Sequence, residues 1–292
     1  MNISGITILY KEQGLSSTQT LNEFKKITGF KKVGHAGTLD PLAEGVLIAM
    51  IGKSTRLAEY FQELEKFYVM HVKFGIKTDS GDLDGNVIEK LENFDLTEED
   101  IRKILPSFTG WIDQIPPMYS AIKHRGKRLY KLARKGIKVE RKPRKVFVRN
   151  IELIKFEKDT AVLELVTGKG VYARQIAVDI GDALGIPAVV KKLVRVAVGD
   201  FKIENSYTLE DIKKMIHRDD FSFVIPPEEA LYFLPTYKAD WNTCKMLASG
   251  QVVKSHLQTN GKIKVLTPSG ELLAVVDSFH GILKPEKVFL QL

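Results

Sequence analysis

Asp40 stands in the run Gly34-His35-Ala36-Gly37-Thr38-Leu39-Asp40-Pro41-Leu42-Ala43-Glu44-Gly45. A carboxylate beside a proline in a glycine-rich stretch most often serves as a turn or helix-capping residue. The same group can also attack an electron-poor carbon without the help of a cofactor. To do so it must stay ionised where water is scarce, and desolvation disfavours the charged form unless a buried cation offsets it. Arg174, in Tyr172-Ala173-Arg174, stands just inside the start of an apolar helical pattern, where an arginine either lies on an exposed face or finds a specific partner. His35 reads on its own as a surface or satisfied histidine, and no companion His, Cys or carboxylate cluster has metal-ligand spacing. Tyr68 and Tyr172 read as ordinary core tyrosines, and Leu193, in KKLVRVAVGDF, as a core leucine.

The elements that must position these groups are mixed. ITILYKEQGLSSTQTLNEFKKITG predicts a strand, a turn at Gly14, and a helix capped by Ser16, Ser17 or Thr18 and stopped at Gly29. The glycine-rich run around Asp40 is too rich in turn residues for regular structure, and VLIAMIG after it predicts a buried strand. FYVMHVKFG reads as a strand and TDSGDLDG as a loop, while LTEEDIRKILPSFTG reads as a helix with Thr97 at its N-cap and Glu99 nearby. VFVRNIELIKFE and TAVLELVTG are strand-like, and VYARQIAVDIGDALG and YTLEDIKKMIHR are helical. FSFVIPPEE reads as a linker turn. Beyond it, KIKVLTP, ELLAVVDS and KVFLQL alternate strand-like runs with turns, so a small β-rich domain is expected over 231–292, after a catalytic domain of 1–230.

The chain has 292 residues, 44% hydrophobic and 27% charged, which suits a globular fold of the α+β (mixed α/β) class and excludes wholesale disorder. Its single cysteine, Cys244, rules out an intrachain disulfide, a cysteine-based zinc site and an iron–sulfur cluster, and fits a reducing, cytoplasmic setting. Neither a secretion signal nor a membrane span is expected. The net charge is +8, but Arg125 to Arg149 alone holds twelve cations against Glu140, a net of +11 that leaves the remainder at −3. Basicity concentrated in this way points to a nucleic-acid contact. Leu129, Tyr130, Leu132, Ile137 and Val139 interleave the cations, so the segment can pack one side while presenting charge on the other.

The stretch from Gly34 to Leu47 resembles the catalytic loop of TruB-type pseudouridine synthases. Similar segments follow in order: LYKEQGLSS, Tyr68 in KFYVMHVKFGIKTDSGDLDG, QIPPMYSAIKHRGKRLYKLAR, GVYARQIAVDIG and LVRVAVGDF, together covering about residues 8–201. The resemblance implies a catalytic domain with a central mixed or antiparallel sheet, a basic RNA-clamping insertion at about 124–150, and a small β-barrel-like PUA-type domain. It implies a cofactor-free isomerase that flips a uridine out of the T-loop of tRNA, at tRNA position 55, and bonds it to Asp40. Arg174 would be the partner of Asp40. Tyr68 would stack on the uracil or take its C5 proton, a stack worth roughly 1–3 kcal/mol. By the same resemblance His35, Tyr172, Leu193 and Lys11 belong to substrate binding, and Arg125, Lys127, Arg128, Arg141 and Arg144 to the RNA backbone. The partner implied is the tRNA T-stem-loop, with no obligate protein. Two departures stand out: Lys11-Glu12-Gln13-Gly14 replaces the usual Lys-Pro-x-Gly, and Arg195-Val196 the usual Arg-Thr. Two other readings share these residues: a guide-RNA-dependent synthase of a ribonucleoprotein, and a non-catalytic tRNA-binding or chaperone protein.

Overall fold

The computed structural model describes residues 3–290 and 292. Its first part runs through β1 (Gly5–Lys11), α1 (Ser17–Thr28), β2 (Val33–His35), β3 (Glu44–Ile51), α2 (Ala58–Glu63), β4 (Lys66–Phe74), β5 (Ile76–Thr78), β6 (Val87–Lys90), α3 (Glu98–Ile104), β7 (Gly110–Gln114), β8 (Lys123–His124), β9 (Lys127–Arg128) and α4 (Leu129–Ala133). There follow β10 (Arg144–Glu157), β11 (Thr160–Thr167), α5 (Ala173–Leu184), β12 (Ala188–Val198), β13 (Phe201–Lys202), α6 (Leu209–Ile216) and α7 (Pro227–Ala230). The last part comprises β14 (Thr236–Lys238), α8 (Trp241–Ala248), β15 (Val253–Lys254), β16 (Gly261–Leu266), β17 (Leu272–Phe279) and β18 (Ile282–Val288).

The larger sheet has the order β1-β3-β12-β4-β11-β10-β7, with β2 beside β3 and β13 beside β12. Its pairs are antiparallel except β3 with β12, so the sheet is mixed. One face carries α1, α3, α5 and α6 over a core that includes Leu9, Leu47, Met70, Val72, Leu163, Ile176 and Ile180. Along β4 the even positions Met70, Val72 and Phe74 turn into this core, and Tyr68 shares their side. β1 and β3 are covered on both faces: Ile6, Ile8, Val46, Ile48 and Met50 pack into a second core with Phe61, Leu231, Leu272, Val275 and Phe289. Double burial is why VLIAMI reads as an unbroken apolar run.

α1 starts at a reciprocal capping box, Ser16 with Gln19, and ends at Gly29 in the left-handed region. α3 has the expected N-cap, Thr97, whose capping-box partner is Asp100 rather than Glu99. In two places tertiary pairing overrides the local pattern. Gly34 and His35 lie on a strand, because β2 pairs with the end of β3 from His35↔Ala49 to Val33↔Ile51. The FSFVIPPEE stretch is core rather than linker: Ile225 exchanges backbone hydrogen bonds with Ile6 at 2.9 and 2.8 Å, and Phe223 packs edge-on against Phe24.

The smaller sheet, β14-β16-β17-β18-β15, packs α8 against Ile263, Val265, Leu273, Val276 and Leu283. Most of KVFLQL lies beyond the end of β18, and its Gln291 falls outside the described residues. The basic segment is not one structural piece. Residues 123–133 form a two-strand hairpin and a short helix, whereas Arg144, Lys145 and Arg149 belong to β10. The hairpin turns through Arg125 and Gly126, both at positive φ, as a tight two-residue connection demands.

β3 and β12 pair at Gly45, opposite Arg195, and the φ of Gly45 is 103°. A Cβ there would overlap the Arg195 carbonyl oxygen and lie 3.0 Å from the Arg195 nitrogen. Both conflicts involve backbone and cannot relax by rotating a side chain. Gly45→Ala is therefore expected to cost about 3 kcal/mol or more, read as a fall in the urea midpoint at unchanged slope.

Candidate active site

The backbone around Asp40 is held from three directions. Ser17, at the start of α1, accepts the Leu39 N–H at 2.8 Å and donates to the Leu39 carbonyl at 3.0 Å. The Gly14 N–H donates to the Pro41 carbonyl at 2.8 Å. Lys11, at the end of β1, donates to the carbonyls of Ala43 at 2.5 Å and Glu12 at 2.9 Å, with Pro41 at 3.4 Å. The loop is thus an ordered platform, and it leaves the Asp40 side chain 36% exposed at the rim of a cleft of about 340 Å³.

Arg174 is the cation at this rim. It is only 4% exposed and sits in the first turn of α5. Its Nε donates to Asp40 Oδ2 at 2.8 Å, one terminal nitrogen to the Ser80 carbonyl at 2.8 Å, and the other to the Tyr119 carbonyl at 2.7 Å. Asp82 Oδ2 lies 3.3 Å from the nitrogen that meets Ser80. One planar guanidinium therefore ties together the Asp40 loop, the 78–85 loop and the root of the basic insertion. Asp82 is itself buried; Ser80 Oγ donates to its carboxylate and Thr78 Oγ1 to its carbonyl at 2.6 Å.

The cleft walls include Tyr68, Tyr172, Leu193, Arg195, Lys66 and Thr167. Tyr68 and Arg195 are register partners on β4 and β12, and Leu193 lies two residues before Arg195 on the same face. Buried Arg195 donates through Nε to the Val46 carbonyl at 2.7 Å and through a terminal nitrogen to the Gly37 carbonyl at 3.2 Å. Lys66 caps the end of α2 through the Gln62 and Leu64 carbonyls, and burial pushes its ammonium down to about 8. Burial likewise raises the Tyr172 phenol. An aromatic and aliphatic wall, a rim carboxylate and several cations make a site for a flat, uncharged ring attached to an anionic chain.

The structure gathers Asp40, Arg174, Tyr68, Tyr172 and Leu193 at one cleft. Lys11, expected among the substrate-binding residues, is instead fully buried beneath the loop. Burial lowers it to about 8, with Asp40 pulling the other way. Its three acceptors are backbone carbonyls of Glu12, Pro41 and Ala43, so its ammonium ties down the loop. His35 lies on β2 and its Nδ1 accepts the Gly37 N–H at 3.3 Å; burial, with Arg195 and Arg128 nearby, lowers its basicity. Arg125, Lys127 and Arg128 are exposed on the β8–β9 hairpin, and Arg144 is exposed on β10. Arg141 is half-buried and donates through one terminal nitrogen to the Pro116 carbonyl at 3.1 Å, while its Nε is buried without a partner.

Three residues at the site have no assigned role in the sequence reading. Asp82 is hidden in a stretch whose Asp, Ser and Gly content signals a turn. Gln114, at the end of β7, has no local signature. Arg195 does give a signal, since it is a charge at an inward position of an apolar strand. Among the described residues, no three His, Cys, Asp or Glu side chains converge as a metal set, and no helix is long and apolar enough to cross a membrane.

A family model described as "TruB family pseudouridylate synthase (N terminal domain)" matches residues 25–173, and one described as "tRNA pseudouridylate synthase B C-terminal domain" matches residues 174–231. The chain is 38% identical over 293 residues to a protein of Dehalococcoides mccartyi (strain 195), covering 99% of this chain and 97% of that one. It is 36% identical over 304 residues to a protein of Bacillus subtilis (strain 168), covering 99% and 98%. Both relatives are named tRNA pseudouridine synthase B. Among solved structures, a chain of the crystal structure of a Cbf5-Nop10-Gar1 complex superposes with a TM-score of 0.76 at 25% identity, covering 98% of this chain and 85% of that one.

Proposed function

The chain belongs to the TruB family of pseudouridylate synthases, and from that premise we propose that it converts the T-loop uridine at position 55 of tRNA to pseudouridine, with Asp40 as the nucleophile. The observation that carries the chemistry is the 2.8 Å pair between Asp40 and buried Arg174 at the rim of a cleft walled by Tyr68, Tyr172 and Leu193. The cleft is too small for a stacked helix, so the nucleotide enters flipped, and its stacking on Tyr68 offsets part of the few kcal/mol of unstacking.

Asp40 bonds to an electron-poor carbon, C1′ of the ribose or C6 of the uracil. On either route the N1–C1′ bond breaks, the base turns, and C5 joins C1′. The C5 proton is released, N1 gains a proton, and the carboxylate is regenerated. No oxidant, reductant or external group is consumed, so the reaction balances without a cofactor. Arg174 aims the Asp40 carboxylate through the Nε–Oδ2 bond, and Tyr68, on the cleft wall, stacks on the base or accepts the C5 proton.

The basic hairpin supplies the RNA contact, and we assign residues 231–292 as a PUA-type RNA-binding unit. Carrying the clamp on the same chain favours a stand-alone enzyme over a guide-dependent one, as do relatives matched end to end and named tRNA pseudouridine synthase B. The single, buried Cys244 suits work in the cytoplasm. Exposed Arg125 and Lys127 meet phosphates in this reading. Replacing both with Gln is expected to lower the slope of log Kd against log salt by about one unit per cation, measured by filter binding, with the single-turnover rate at saturating RNA retained.

Tritium release from C5-labelled uridine in a T-stem-loop transcript tests the reaction and its position together. Release is expected, and it should vanish when only position 55 is changed to cytidine. Undiminished release from the changed transcript, or none from either, would overturn the assignment.

A further inference from the structure

Gln114 is 1% exposed at the last position of the edge strand β7. Its side-chain amide meets the backbone of Tyr172, 58 residues away, at both ends: Oε1 accepts the Tyr172 N–H at 2.8 Å, and Nε2 donates to the Tyr172 carbonyl at 3.2 Å. Tyr172 is the N-cap of α5 and makes no side-chain cap bond, so the Gln114 amide acts as a substitute peptide group that fixes how the helix begins. Two residues further on is Arg174. It in turn donates to the carbonyl of Tyr119, five residues beyond Gln114. Segments 114–119 and 172–174 are therefore fastened to each other twice, and the outgoing end of one is the root of the basic insertion. The insertion leaves the sheet directly after Gln114 and returns at Arg144, the register partner of Gln114.

From this closure we infer that Gln114 is a positioning residue, which locks the Tyr172–Arg174 segment to the insertion root and so sets the aim of Asp40 when RNA seats on the insertion. The inference rests on the pseudouridine synthase reading above. A planar amide offers one donor and one acceptor at this spacing at every pH. Methionine of similar length offers neither, and an ionised glutamate accepts the Tyr172 N–H while facing the Tyr172 carbonyl with a second lone pair. The chemistry depends on sub-ångström placement of a group that Gln114 never touches, so its loss should fall on the rate and not on binding.

The test compares the wild type with Gln114→Met and Gln114→Glu, well below their melting temperatures. One measurement is single-turnover tritium release at saturating T-stem-loop; the other is binding to a stem-loop carrying cytidine at the target position. The expected result is a rate lowered by about 10- to 100-fold with affinity within threefold. In addition, the ratio of the Gln114→Glu rate to the wild-type rate should rise as pH falls from 8 to 5.5, because a protonated glutamic acid regains the missing donor. A merely structural glutamine would leave that ratio flat. Unchanged rates in both folded variants, or rate and affinity lost together with a flat ratio, would overturn the inference. An inactive wild type would instead overturn the pseudouridine synthase reading itself.

Discussion

Asp40→Asn should release no measurable tritium while binding the T-stem-loop within about threefold of the wild type. Asparagine matches aspartate in shape, and its carbonyl oxygen can still accept from Arg174 Nε. It cannot form the bond to carbon assigned to Asp40 in the proposed reaction, so the rate should fall by about 10⁴-fold or more. The fold should survive. Arg174 keeps its acceptors at Ser80, Tyr119 and Asp82, and the Asp40 side chain is partly open to water, so no charge is left stranded. Residual release above about 1% of the wild-type rate would show that the carboxylate forms no bond in the reaction. Full binding without release would leave any chaperone-like action on tRNA intact, and would separate it from catalysis in one variant.

The second large effect is expected at Arg174, where activity and stability should fail together. Arg174→Met removes the one cation shared by Asp40 and Asp82. Asp82, with its side chain 8% exposed, would be left as a buried charge without its partner, which typically costs about 3–5 kcal/mol. Arg174→Lys restores a positive charge, but a single nitrogen cannot reach acceptors on three segments. It should recover most of the stability and little of the activity, with a rate about 10²- to 10³-fold below the wild type. Thermal melting and single-turnover release on the same preparations would check both halves. A lysine variant with near wild-type rate would mean that charge alone, not geometry, is what the site requires.

How much of this was legible depends on whether a residue's role is written near it in the chain. The buried strand β3 declares itself because both its faces are apolar, and α1 because its cap and its terminal glycine are local signals. β2 does not, since a three-residue strand exists only through its pairing with β3. Ile225 reads as part of a linker because its partner, Ile6, lies far away near the start of the chain. The site divides in the same way. Asp40, Tyr68 and Arg174 stand in long, recognisable runs, and the fold brings them to one cleft. Asp82 was missed because aspartate in a Ser- and Gly-rich loop has the same composition whether it turns the chain or neutralises an arginine. Lys11 stands with the substrate-binding residues only through the resemblance; its complete burial follows from the packing of the Asp40 loop, which no local pattern reports.

The second hydrophobic core has a consequence for how the molecule comes apart. Leu272 and Val275 of the small sheet and Phe289 just past β18 close over Ile6, Val46 and Met50, while Lys53 and Arg56 donate to the carbonyls of Phe289 and Val288. The far side of β1 and β3 thus borrows its cover from the end of the chain. Cooperativity should extend across the junction, so that the two units melt in one calorimetric transition instead of two. A chain cut after residue 230 would not be a smaller soluble enzyme; it would carry an uncovered sheet face prone to self-association.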